Sequence, residues 1–226
     1  MKRSTAVIVR EYGPFPDVGQ VGGVSYDGTN IWIAAGDTMK AVDPQSGTIV
    51  RSLNVPAHAG TAFDGKYLFQ ISGDRIQKVD PESGGVVSSI PTPDGGASGM
   101  AWAEGSLWVG QHRNRKIHQV DPESGKILRT INSDRFVTGV TWVGKELWHG
   151  TWEEEKSDLR RVDPQSGEVL ELIEMPQGVG VSGLESNGGD LFFCGGGTSG
   201  MVRAVRKPKR APRSSGRMSS AEPGIR

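Results

Sequence analysis

Groups able to move a proton or hold a metal are few in this 226-residue chain, which has four histidines and one cysteine. His149 is followed within four residues by Trp152 and Glu153, and His112 stands between Gln111 and Arg113 in another polar interruption of an apolar run. An imidazole near a carboxylate can act as general acid or base, because burial tunes both groups. The expected catalytic group is therefore His149, Glu153 and His112. His58, Gln70, Gln111, Arg113, Trp152 and Glu185 are expected to bind a ligand, offering hydrogen bonds and one flat aromatic face. The alternative for His58, His112 and His149 is a divalent metal, imidazole being its commonest nitrogen ligand. No HExxH or CxxC spacing accompanies them, so no cofactor is assigned firmly. Cys194, at the end of an apolar run before Gly195-Gly196-Gly197, reads as an inert buried thiol, with a reactive one as the alternative.

Something must bring these distant residues together, and the chain is built on a repeat. Val42-Asp43-Pro44-Gln45-Ser46-Gly47 returns at Val79–Gly84, Val120–Gly125 and Val162–Gly167, each copy carrying Asp-Pro-x-Ser-Gly. Asp can accept a backbone hydrogen bond two residues on, Pro presets φ at the first corner, and Gly takes the positive-φ position. Each copy lies between alternating runs such as Thr48–Leu53, a hairpin signal. Upstream lies a second landmark: Gly23-Val24-Ser25-Tyr26 then Ile31-Trp32, with matching pairs at Gly60/Leu68, Gly99/Leu107 and Gly139/Leu147, and a degenerate fifth at Gly183/Leu191. A period of about 40–45 residues with several strands per unit indicates propeller blades.

The predicted fold is all-β: a five-bladed β-propeller with four-stranded blades. The repeats cover about 23–56, 60–93, 99–134, 139–176 and 183–206. The fifth lacks its Asp-Pro turn and outer strand, and residues 4–11 resemble the missing strand, so an N-terminal strand is expected to complete the last blade. Closure of that kind removes exposed sheet edges. One propeller domain is expected over 1–206, followed by a basic disordered tail over 207–226.

Radial blades gather the loops entering each inner strand, and those joining second and third strands, at one face. A funnel there is the expected site. Departures from the repeat mark its residues. One position past the second-strand aromatic, the copies read Ile33, Gln70, Val109, His149 and Phe193. Three further on come Gly36, Gly73, His112, Trp152 and Gly196, so His112 and Trp152 replace glycine. Glu185 replaces the small residues Ser25, Ala62, Ala101 and Thr141.

Composition narrows the classes. A lone cysteine precludes an intrachain disulfide, and no apolar run of about 20 residues offers a membrane helix. The expectation is a cytoplasmic monomer, off the membrane. Net charge is zero, but residues 201–226 hold eight Lys/Arg against Glu222, leaving 18 basic and 25 acidic residues in 1–200. The basic tail could attract nucleic acid electrostatically. It has no aromatic residue to stack on bases, so nucleic acid is not the expected partner; a small polar molecule is.

The units Gly-x-x-Tyr/Phe-Asp-Gly-x-x-Leu-aromatic and Val-Asp-Pro-x-Ser-Gly-x-Ile/Val resemble the bacterial and plant-type glutamine cyclotransferases, and the related virginiamycin B lyase and NHL-like propellers. Leu147-Trp148-His149-Gly150-Thr151-Trp152 through Arg161-Val162-Asp163-Pro164 is similar to the cyclotransferase segment Leu-Tyr-Ala-Asn-Val-Trp followed by Ile-Asp-Pro. The resemblance spans roughly 20–206 and implies that Trp152 packs at the substrate. It also locates departures: the family's acid, in Leu-Tyr-Glu-Ser-Thr-Gly, falls on Ile33; its Thr-Gln-Gly falls on Val21-Gly22-Gly23; and its Asn falls on Gly150. The expected function is thus a small-molecule-binding propeller with a polar funnel, or a related transferase or lyase lacking the acid at Ile33. The alternatives are a genuine glutaminyl-peptide cyclotransferase and a non-catalytic interaction scaffold.

Overall fold

The computed structural model describes residues 1–209. The Asp-Pro-x-Ser-Gly motif forms the turn its residues dictate. In the first copy the Asp43 carboxylate accepts from the Gln45 amide at 2.7 Å and the Ser46 hydroxyl at 2.8 Å, and Gly47 N donates to Asp43 O at 2.8 Å. Gly47, Gly84, Gly125 and Gly167 all take φ between 73° and 80°, where a Cβ would be strained. These hydrogen bonds hold the Asp43, Asp80, Asp121 and Asp163 carboxyls below the usual carboxylate range.

Each turn joins the third and outer strands of a blade. Blade 1 is Gly23–Tyr26, Ile31–Ala35, Thr38–Val42 and Ile49–Leu53; blade 2 is Thr61–Phe63, Leu68–Ser72, Arg75–Val79 and Val86–Pro91. Blade 3 is Met100–Ala103, Ser106–Gln111, Lys116–Val120 and Ile127–Asn132; blade 4 is Val137–Val143, Glu146–Thr151, Asp158–Val162 and Val169–Glu174. Blade 5 is Gly183–Ser186, Leu191–Gly195 and Val202–Arg206, completed by Ile8–Tyr12 paired antiparallel to Val202–Arg206. The ring closes through the N-terminal segment as its sequence indicates. One side-chain bond makes the equivalence visible: Arg10 donates to Pro44 O at 2.9 Å, as Arg51 donates to Pro81 O at 2.8 Å one blade later.

The N-terminal segment does more than the sequence suggested. Only residues 8–12 complete blade 5; Lys2–Thr5 pairs parallel with Val169–Glu174 as a fifth strand on blade 4. Charge selects that edge. Lys2 lies 3.3 Å from Glu171 and Arg3 3.7 Å from Glu174, whereas the outer strands of blades 1–3 present no acid. Residues 207–209 are described against blade 5, with Lys207 N bonded to Asp190 O at 2.7 Å; the rest of the expected basic tail lies outside the described residues.

At the axis the repeated inner-strand glycine is a spacing device. A Cβ built on Gly23 would fall 2.5 Å from Ala59 O, on Gly60 2.6 Å from Gly99 C, and on Gly99 2.7 Å from Gly139 Cα. The circle continues with Gly139 at 2.6 Å from Gly183 C and Gly183 at 2.6 Å from Val24 N. Five backbones therefore meet where no side chain fits. Farther out, three second-strand aromatics pack on the inner-strand aromatic of the next blade: Phe69 on Trp102 at 5.4 Å, Trp108 on Trp142 at 4.9 Å, and Phe193 on Tyr26 at 5.4 Å.

That packing corrects the alignment of the fifth blade. Phe193 pairs with Glu185 as Trp148 pairs with Thr141 and Trp32 with Ser25. Cys194, not Phe193, is the counterpart of His149, and Gly197 rather than Gly196 is that of Gly36 and Gly73. All three of those glycines have positive φ.

Candidate functional site

Glu153 lies near enough to His112 to oppose the lowering of its pKa, whereas His149 is buried inside blade 4 and neither of them acts on it. His149 is 1% exposed inside blade 4, and its Nδ1 faces Gly150 O at 3.1 Å. Burial pushes its pKa down to about 4; the Gly150 carbonyl opposes that, Arg160 adds to it, and Asp158 and Asp134 oppose it. The ring stays neutral at ordinary pH. Glu153 is held by Arg115 at 2.5 Å and Arg135 at 3.7 Å. This belongs to a wider lattice in which Arg160 bonds Asp134 and meets Asp158 at 2.6 Å. His112 lies on the Phe136 ring at 4.7 Å, and burial lowers its pKa. Each is occupied by the joint between blades 3 and 4.

The polar departures serve loops. Gln70 is fully buried, its Nε2 donating to Ile71 O at 2.8 Å, Ala59 O at 3.1 Å and Gly60 O at 3.3 Å. Gln111 donates to Asp94 O at 2.6 Å and Gly96 O at 3.0 Å, while its Oε1 meets His118 Nε2 at 2.9 Å. His58 and Arg113 are exposed. Among the described residues no three His, Cys, Asp or Glu side chains converge as a metal set, so the alternative of His58, His112 and His149 is not assembled. Burial pushes the Cys194 thiol up to about 12, which matches the inert reading.

Glu185 belongs to the other end of the axis. Its Oε1 accepts from Thr141 Oγ1 at 2.5 Å and from Ser186 N at 2.6 Å, and burial raises its pKa to about 7. Lys207 reaches the same corner, bonding Ser186 Oγ and Gly189 O, and burial lowers its pKa to about 8. The corner exists because Ser186 stands where other inner strands carry an aromatic. Phe192, tilted on Trp148 at 5.0 Å, and the Lys207 ammonium over Phe192 fill that place.

On the face expected to carry the site, the concavity lies between blades 4 and 5. It is a cleft of about 490 Å³ bounded by Trp152, Thr138, the Gly178–Ser182 segment, the Gly196–Ser199 loop and Arg203. Trp152, alone of the expected ligand-binding residues, lines it, lying 3.6 Å from where a Cβ on Gly180 would be. Thr138 is 7% exposed and its Oγ1 has no hydrogen-bond partner. The Ser182 hydroxyl is taken up structurally, donating to Val21 O at 2.5 Å and accepting from Gly197 N at 2.9 Å. Arg203 Nε donates to Glu11 Oε1 at 2.8 Å, and its Nη1 lies over the loop where a Cβ on Gly196 would come within 2.7 Å. A side chain at Gly196 would therefore have to displace Ser199 Oγ and the Arg203 guanidinium.

Sequence reasoning missed Thr138, Ser182 and Arg203. The position before the inner-strand glycine reads Gly22, Ala59, Ser98, Thr138 and Ser182, so hydroxyls accumulate toward blades 4 and 5. Together with the glycine-rich run 195–200, that trend was the available signal.

Among solved structures, the chain is similar to Myxococcus xanthus glutaminyl cyclase: 16% identity over 91% of this chain and 97% of that one, with a TM-score of 0.75. The likeness is one of fold. The β-propeller domain of Myceliophteria thermophila Cps50 (Swd1) matches at 10% identity, 90% and 100% coverage and a TM-score of 0.57. Kuenenia stuttgartiensis hydrazine synthase matches at 19% identity and a TM-score of 0.51, over 79% of this chain and 56% of that one. No protein-family model matches the chain, and no curated protein does. The architecture is shared with a glutaminyl cyclase, as the sequence resemblance implied.

Proposed function

We propose that the protein binds a small polar molecule in the cleft between blades 4 and 5, on a glutamine cyclotransferase-like propeller. The observation that carries this reading is the cleft's lining. A half-buried tryptophan and an arginine side chain share one concavity of a size suited to small ligands. Glutaminyl cyclisation is not part of the reading. Ile33, where the resembling enzymes carry their acid, is fully buried among Val21, Val24 and Phe193 and can transfer no proton.

A ligand-observed NMR screen of small polar metabolites against the protein and Trp152→Ala tests this. Hits lost in Trp152→Ala support the reading. Hits that bind the variant equally well, or none from a broad library, would refute it.

A further inference from the structure

Resting on that reading, we infer that the ligand is a small organic monocarboxylate, its carboxylate held by Arg203 and its apolar body laid on Trp152. Arg203 is the one charged residue that lines the cleft among the described residues; no acid lines it. Its guanidinium is fixed rather than free. The ring-closing strand supplies Glu11 in register with Arg203, and the 2.8 Å bond to Nε orients the group. Nη2 has only the Met201 sulfur at 3.6 Å, and Nη1 has no protein partner. A planar fork with unused N–H groups is suited to a carboxylate.

The charge count favours one negative charge over two. Glu11, itself half exposed, already offsets part of the guanidinium, so a phosphate dianion would lie in the cleft undercompensated. Trp152 offers a face for a flat or apolar body: it lines the cleft, and its six-membered ring lies 3.6 Å from where a Cβ on Gly180 would be.

The test uses matched pairs that differ by charge alone: phenylacetate with phenylacetamide, and indole-3-acetate with indole-3-acetamide. Affinities come from ligand-observed NMR on the full chain. Each acid should bind about ten-fold or more tighter than its amide, the value of a charge-assisted hydrogen bond over a neutral one. The preference should vanish in Arg203→Gln, persist in part in Arg203→Lys, and shrink from low to high salt in the unmodified protein. The salt series decides the matter even if Arg203→Gln does not fold. Acid and amide binding equally, or a preference that survives Arg203→Gln, would overturn the monocarboxylate proposal while leaving the cleft a ligand site. Failure of all four probes to bind, with neutral hits from the wider screen sensitive to Trp152→Ala, would overturn it in the same way. Loss of every hit would overturn the cleft reading itself.

Discussion

Two buried groups give the fold opposing responses to acid, and His149 is the sharper. Its ring titrates at about 4 in the folded protein against an ordinary value of 6.5. The unfolded chain therefore binds the proton more tightly, and stability falls as pH drops from 6.5 through 4. Between pH 7 and pH 5 the loss is about 2 kcal/mol, from a shift worth about 1.4 kcal/mol per unit. Glu185 runs the other way. Its carboxyl, raised to about 7 from an ordinary 4.5, holds its proton better when folded, so its contribution is full below 4.5 and lost as pH rises through 7. Over the same window acidification returns about 1–2 kcal/mol, reduced because Glu185 keeps some contact with water.

The two contributions should largely offset each other between pH 7 and 5, over a further loss on acidification from His112 and His118, both lowered by burial, and each variant should expose the hidden partner. His149→Val, the residue the third blade carries as Val109, should gain stability on acidification relative to the unmodified protein, whereas Glu185→Gln should lose it. The double variant should return to the slope of the unmodified protein, set by His112 and His118. Urea melts at four pH values read this directly. His149→Val tracking the unmodified protein across the range would refute the burial assigned to His149. His149→Ala should also cost about 2–4 kcal/mol at pH 7, because it leaves a cavity in a close-packed blade.

Three further outcomes follow from the geometry. Deleting residues 1–12 removes Tyr12 from the core and both N-terminal strands, so it should cost about 3 kcal/mol or more; an unchanged melting temperature would contradict the closure. Glutaminyl-peptide cyclisation should be absent or about 10²–10⁴-fold below an enzyme bearing the acid, and pyroglutamate release at an ordinary enzymatic rate would make the Ile33 argument untenable. Gly60→Ala should destabilise severely by forcing a Cβ into the Gly99 backbone, while Gly196→Ala should displace Arg203 and weaken acid binding with little change in melting.

The circular fold could be read from the chain because it is written in repeated local chemistry. Asp43 and its three counterparts each make a turn from their own neighbours, and the inner-strand glycines recur in register. The site was harder to read, because departure from a consensus does not say what a residue touches. Gln70 and Gln111 break the pattern, yet their amides bond backbone carbonyls of adjacent loops. His149 breaks it too, and is buried with its Nδ1 on the next carbonyl. Arg203 lay unnoticed because its partner Glu11 is 192 residues away, a pairing that only ring closure creates. Glu185 was noticed, but strand direction puts it at the far end of the axis with Lys207.

Both unusual corners lie at one joint. Other joints use two devices: an aromatic on an aromatic from blade 2 to 3 and from 3 to 4, and an outer-strand arginine on the next turn from blade 5 to 1 and from 1 to 2. Between blades 4 and 5 those devices lapse. Ser186 replaces the aromatic at one face, and the loop 195–200 with Arg203 opens a cleft at the other. The same joint is crossed by the N-terminal segment, where Lys2–Thr5 lies on blade 4 and Ile8–Tyr12 on blade 5. Its linker is tied to both blades, by Ala6 N to Glu174 O at 2.8 Å and Arg206 N to Val7 O at 2.9 Å. The strap thus adds backbone hydrogen bonds across this joint. Because it also delivers Glu11 to Arg203, the element that closes the ring is the one that sets the cleft's charge. Ligand affinity and ring closure should therefore respond together to changes in residues 1–12, although none of those residues lines the cleft.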